Sequence, residues 1–328
     1  MRSLRLALAA SGLILAPTAA APGATEPLRM AGTAFDRPAE IEVRDLDPAI
    51  ASGAVREAFA ELERSRATLR SLESTAGEGR TVTLDQTAAD LVRRSAGFCL
   101  WSEGAVSPLG GEVFRLFGLR SPVGARPTPE EIDRAVTAAH CDRLAYVEAR
   151  RELTVAAGSR LDFFPFEIGW AIDRAAESLR RAGAANFWIE VGPIVRGAGG
   201  GPDGRGWEVM PPAFSGLIEP LAAIYLRDRS LALLTADDRT LRIAGDRFSP
   251  YLDLRHARPG SGTMAVFVLA ELGVDAAGVA YAMFALGPHD GTMLFGTLSP
   301  RPSVRWILGS GAGPPVLTDV NWSAVPRH

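Results

Sequence analysis

The short apolar and β-branched runs of this chain come in close pairs, and its helical patterns come in groups. No regular strand–helix–strand alternation is set up. Residues 144–148 and 152–156 flank Ala149-Arg150-Arg151 and read as a β-hairpin. Further strand signals fall at 187–191, 207–210, 224–226, 231–235, around Ile243, and at 251–254, 263–269 and 304–308. Helical periodicity is carried by 48–72, 87–101, 166–182 and 275–286. Without repeated βαβ units, a doubly wound parallel sheet is disfavoured. An α+β fold is expected, two-lobed, with mostly antiparallel or mixed sheets packed against helices. The 328 residues are 47% hydrophobic, which is enough to bury one such core over 25–328.

Local signals place the helix ends. Asp47 before Pro48, Asp85 before the second helix, and Thr128-Pro129-Glu130-Glu131 supply caps, a proline at the first helical position and first-turn acids. Gly77 and Gly79 close the region of the first helix, Gly183 stops 166–182, and Gly287 stops 275–286. Residues 25–38 read as an extended lead-in and 39–45 as an edge strand. The run GAGGGPDGRG at 197–206 opens no helix and lacks the Lys-Ser/Thr of a phosphate loop. It reads as a flexible hairpin turn.

The first residues, MRSLRLALAASGLILAPTAAAPGA, combine Arg2 and Arg5 with an apolar run over 6–16 and small residues with A-x-A spacing. That is the pattern of a cleavable secretory signal over 1–24, too short in its apolar part to span a bilayer. An exported, periplasmic protein is expected, with no transmembrane segment in its mature part. The net charge of −3 points away from nucleic acid. Cys99 and Cys141 are the only cysteines. An oxidising compartment permits a disulfide, and two buried thiols fit equally well. The four histidines are dispersed, without metal-ligand spacing.

Three segments carry a more specific pattern. Residues 104–119 read GAVSPLGGEVFRLFGL, 160–181 read RLDFFPFEIGWAIDRAAESLRR, and 278–287 read GVAYAMFALG. With Met30-Ala31-Gly32-Thr33 ahead of them, they resemble in this order the FAD:protein FMN transferases, the ApbE-like family. The order of the motifs is specific, although each alone is weak. The resemblance implies the α+β fold of that family. It also implies FAD as substrate, Mg²⁺ beside the FAD diphosphate, and FMN transfer to a Ser or Thr of a flavoprotein acceptor or periplasmic redox partner. By residue matching, Met30, Thr33, Phe117, Gly118, Asp162 and Gly192 would contact the flavin nucleotide, and Asp253 would be the surviving catalytic acid.

Polar positions of the family pattern are replaced here. Its paired glycines correspond to Phe164 and Pro165, and its lysine to Ile168. Glycine lets a ligand approach the backbone, and Pro removes an N–H donor. The family's metal-holding Asp and Thr, one helical turn apart, correspond to Ala277 and Tyr281. Asp275 is two residues away and would serve as a metal ligand only with a shifted helix start; as a first-turn acid it also suits the helix dipole. Asp173 is expected to pair with a nearby arginine such as Arg174 or Arg180. Phe163, Phe164, Phe166 and Trp170 would fill the former pocket or meet a partner. The alternative to transfer is therefore a non-catalytic, exported flavin- or protein-binding accessory protein of the same fold, with no cofactor of its own.

Overall fold

The computed structural model describes residues 26–322 apart from 76–78, 261 and 312. The expected signal segment and Gly77 lie outside the described residues. The organising element is an eight-stranded sheet in which every neighbouring pair is antiparallel. Its first strands are β1 (Leu28–Ala34) and β2 (Arg37–Arg44). The lead-in is thus itself a strand, joined to β2 through Phe35 and Asp36, both at positive φ. The long helix α1 (Pro48–Thr75) follows, with Asp47 accepting from the Ala49 N–H at 2.9 Å.

A helical excursion comes next: β3 (Thr81–Thr83), α2 (Gln86–Trp101), α3 (Gly111–Leu116), α4 (Pro129–Ala138), β4 (Leu144–Val147) and β5 (Glu152–Val155). Asp85 caps α2, and Thr128 and Glu131 form a reciprocal capping box on α4. β4 and β5 are the expected hairpin, joined by β3 in a small sheet. Cys99 on α2 is disulfide-bonded to Cys141, which closes the open choice between bridge and buried thiols.

The chain returns through α5 (Glu167–Arg181), and Gly183 follows at φ 89°. The hairpin of β6 (Asn186–Val191) and β7 (Ile194–Ala198) continues the sheet. The glycine-rich segment does not make the expected hairpin: β8 (Trp207–Val209) pairs with β9 (Ile224–Leu226) rather than with β7. It is also tied down, since the Asn186 side chain accepts from the Gly201 N–H and donates to the Gly201 carbonyl. Neither partner of that bond could be read from local composition.

β10 (Arg229–Thr235), the small pairs β11 (Leu241–Ile243) with β12 (Asp246–Phe248) and β13 (Leu252–Asp253) with β14 (Arg258–Pro259), β15 (Thr263–Ala270), α6 (Gly273–Phe295), β16 (Ser303–Leu308) and β17 (Val316–Val320) complete the fold. Gly287 breaks α6 at φ 70°, but helix resumes behind Pro288, so the expected stop is a kink. β17 lies beyond the last strand signal, 304–308, and is recruited by pairing with β16.

The sheet is covered on both faces. Along β10 and β15, Ala232, Leu234, Val266 and Val268 point to the side of α1, α5 and α6. Leu231, Leu233, Phe267 and Leu269 point to a second core with Trp188, Trp207 and Trp322. Strands buried on both sides read as continuous apolar runs rather than alternating ones. Helices α5 and α6 touch at two glycines: a Cβ on Gly169 would sit 2.1 Å from the Gly273 carbonyl oxygen. Asp173, one turn further on, accepts the Gly273 and Val274 N–H groups at 2.7 and 2.9 Å and meets Arg196 at 3.5 Å. The expected pairing with Arg174 or Arg180 is therefore replaced by a cap on the next helix, because Arg174 turns to Glu61 and Glu177.

Candidate functional site

Two groups of side chains meet where α3, the start of α5 and the middle of α6 converge. The first is ionic. Helix α3 ends in a Schellman motif, with Leu119 N–H on the Phe114 carbonyl, Gly118 N–H on the Arg115 carbonyl and Gly118 at φ 72°. That reversal brings Arg120 back over α5. Its guanidinium holds Asp162 through two bonds of 2.8 and 2.5 Å and Glu167 at 3.1 Å, with Glu73 of α1 4.0 Å away. Asp162 also accepts the Phe164 N–H at 2.9 Å and donates its own N–H to Pro108, tying 104–110 to the α5 entrance. Burial, reinforced by the neighbouring Asp162 charge, pushes the Glu73 carboxyl up to about 7. Burial also raises Glu167, against the pull of Arg120.

This cluster forms one wall of a polar cavity of about 280 Å³, also lined by Phe35, Asp36, Arg66, Arg70 and Arg239. Arg66 is held by Asp36 at 2.5 Å, whereas Arg70 and Arg239 have no hydrogen-bond or ion-pair partner among the described residues. The volume is just below the roughly 300–1,000 Å³ that buries a drug-sized ligand. It suits a phosphate-sized group and does not fit a whole dinucleotide.

The second group is aromatic. Phe164 stacks on Tyr251 and meets Phe114 and Tyr281 edge-on, with ring centroids 5.7–6.5 Å apart. Tyr251 also packs on Phe284 at 4.6 Å. Arg120 lies 5.6 Å over the Phe164 ring and joins the two groups. The Tyr281 hydroxyl donates to the Leu252 carbonyl at 3.1 Å and accepts the Leu252 N–H at 3.0 Å. Burial raises its pKa far above the ordinary phenol value, and the charges of Asp162 and Asp253 add to the effect. Phe163, Phe166 and Trp170 are buried in the helix-side core, so of the four aromatics in that motif only Phe164 joins this cluster.

The residues singled out from the sequence are thus dispersed. Asp162 is at the centre. Asp253 is forked by Arg255 at 2.7 and 3.0 Å and caps the Arg255 N–H, outside the ionic cluster. Met30 and Thr33 lie on β1 opposite Ile41 and Pro38, and Phe117 is packed into the core. Gly118 makes the turn that aims Arg120. Gly192 makes the β6–β7 turn at φ 54°, against the stem of Arg37, whose guanidinium forks onto Asp238 at 2.7 and 2.8 Å. Arg120, Glu73, Glu167 and Asp238 were missed, because an isolated charged residue carries no spacing signal.

A divalent cation is not accommodated at the two helix positions. Ala277 offers no donor atom, and the Tyr281 hydroxyl is saturated by Leu252. Among the described residues no three His, Cys, Asp or Glu side chains are gathered as a metal site. Asp275 faces α2 and accepts a hydrogen bond from Arg94 at 3.3 Å.

A sequence profile described as the ApbE family matches residues 35–302. The chain belongs to the ApbE family. A curated FAD:protein FMN transferase of Rhodobacter capsulatus is 27% identical over 325 residues, covering 92% of this chain and 59% of that protein. Another, of Haemophilus influenzae, is 25% identical over 196 residues, covering 57% of this chain and 56% of that protein. The chain therefore spans under three fifths of the length of these curated relatives. The fold matches the ApbE protein of Thermotoga maritima with TM-score 0.81 at 18% identity, over 92% of this chain and 100% of that one. The flavin transferase ApbE of Vibrio cholerae gives 0.79 at 19% identity, with the same coverage. The α+β expectation is thereby met, and this ApbE-family chain carries an aromatic cluster that includes Phe164 and Tyr281.

Proposed function

We propose that this chain is a non-catalytic accessory protein of flavoprotein maturation, exported to the periplasm. In this reading it recognises a flavin-bearing or flavin-accepting protein and does not transfer FMN. The observation that carries the reading is the Tyr281 hydroxyl locked onto the Leu252 backbone, with Phe164 and Tyr251 packed on its ring. A ring in that position, its hydroxyl engaged by Leu252 as donor and as acceptor, argues against a metal–diphosphate there. The signal-like N-terminus and the Cys99–Cys141 bridge support the exported setting. No helix among the described residues is long and apolar enough to cross a membrane.

A second reading keeps the activity named for the curated relatives, FMN transfer from FAD to a protein. It is favoured by the polar cavity: Arg70 and Arg239 offer cationic donors for phosphate oxygens, and Glu73 has a carboxyl poised near neutral pH. Incubation of the purified protein with FAD, Mg²⁺ and an acceptor domain separates the two. The first reading expects no AMP above the enzyme-free control and no flavin on the acceptor. Magnesium-dependent AMP release would overturn it and establish the second.

A further inference from the structure

A larger cavity than the one beside Arg120 lies elsewhere. It encloses about 520 Å³ between α2, the exposed side of α6 and the ends of β10, β15 and β16, closed by the loop 298–302. That volume is in the range of small-molecule sites. Asp275 and Val279 of α6 line it, whereas Tyr281 meets the aromatic cluster, so the helix separates this cavity from the site described above.

Its walls divide into two kinds. Phe98 and Trp101, edge-to-face at 5.7 Å, and Leu298 provide an apolar surface. Four arginines, Arg93, Arg94, Arg229 and Arg301, face two acids, Glu271 and Asp275. Arg93 and Arg94 are engaged by Asp90 at 2.5 and 3.1 Å, and Arg94 also by Asp275. The guanidinium groups of Arg229 and Arg301 have no hydrogen-bond or ion-pair partner among the described residues. The loop that carries Arg301 is held in place, because the Asn321 side chain donates to the Arg301 and Pro302 carbonyls at 3.3 Å. Two guanidinium groups without an ion-pair partner, lining the same cavity as an aromatic wall, offer planar donors for a carboxylate, sulfonate or phosphoryl group with a flat apolar body.

We propose that this cavity is a binding site for a small organic anion with an aromatic or apolar body, with Arg229 and Arg301 taking the anionic group and Phe98, Trp101 and Leu298 the body. The site is independent of the flavin reading and stands whether or not FMN is transferred.

The test uses two probes on the purified protein: anilinonaphthalene sulfonate, and the neutral phenylnaphthylamine of similar shape. Saturable binding of about one sulfonate per chain is expected, at least about tenfold tighter than the neutral probe and weakened by added NaCl. R229A/R301A should lose at least about tenfold in sulfonate affinity with circular dichroism and melting unchanged, and L298E should block binding of both probes. Equal affinity for the two probes would overturn the proposal, as would unchanged sulfonate affinity in the double arginine variant or the absence of saturable binding. The comparison of probes needs only the wild-type chain, so it decides the matter even if the double variant fails to fold. A failure here leaves the AMP-release result untouched, and the reverse holds as well.

Discussion

Replacing Arg120 with Met removes the single cation shared by Asp162, Glu167 and Glu73 while keeping most of the side-chain volume over Phe164. The lost contacts are the fork on Asp162 at 2.8 and 2.5 Å and the bond to Glu167 at 3.1 Å. Removing one partner of a fully buried pair costs about 3–5 kcal/mol. Arg120 is 37% exposed, so solvent screening reduces this to about 2–3 kcal/mol. The sign with pH follows from linkage. Without the guanidinium, the Glu167 carboxyl, already raised by burial, loses the cation that pulls it down and rises further above its unfolded value. Stability from such carboxyls is fully present below the unfolded pKa and is lost as pH rises through the folded one. Glu73, already pushed up to about 7, takes part in the same window. The deficit of R120M should therefore be small near pH 4.5 and full by pH 8. Urea unfolding followed by circular dichroism at both pH values, with the disulfide kept oxidised, measures it. Adding D162N and E167Q in the R120M background should recover part of the loss at pH 8. A deficit below about 0.5 kcal/mol at pH 8, or one equal at the two pH values, would refute the role of Arg120 as shared counter-charge.

Gly169→Ala places a Cβ 2.1 Å from a backbone oxygen of α6, where neither side can yield without parting two helices. A loss above about 3 kcal/mol and a melting point lower by at least about 5 °C are expected by calorimetry. Cys141→Ser opens a loop of sequence separation 42 and should cost up to about 4 kcal/mol by loop entropy. Two thiols reactive in the native wild-type protein would contradict the bridge. Asp173→Ala orphans two N–H groups at the start of α6 and should cost about 2–4 kcal/mol, with faster amide exchange at Gly273 and Val274. Exchange unchanged at those two amides would argue that the cap is dispensable.

Local chemistry settled much of the secondary structure from the sequence alone. Asp47, Asp85 and Thr128 cap their helices because a short polar side chain satisfies free N–H groups within three residues of itself. The 144–156 hairpin and the stop at Gly183 are equally local. The ordered motifs also sufficed to recognise the family, because substitution at the working positions left their apolar frame intact. What failed locally depended on a distant partner. β17 exists because β16 offers an open edge, and the glycine-rich segment is ordered because Asn186 reaches it from another strand. Asp173 chose α6 over its sequence neighbours because burial puts two free N–H groups beside it. The same holds for the candidate site. Sequence named Asp162, but Arg120, Glu73 and Glu167 become a cluster only when α1, α3 and α5 converge. By its resemblance to the family, the sequence pointed to a glycine replaced at Phe164 and a threonine replaced at Tyr281. That these rings pack together and saturate the hydroxyl with Leu252 was decided by tertiary structure, since hydrogen-bond satisfaction depends on which backbone is brought within 3 Å.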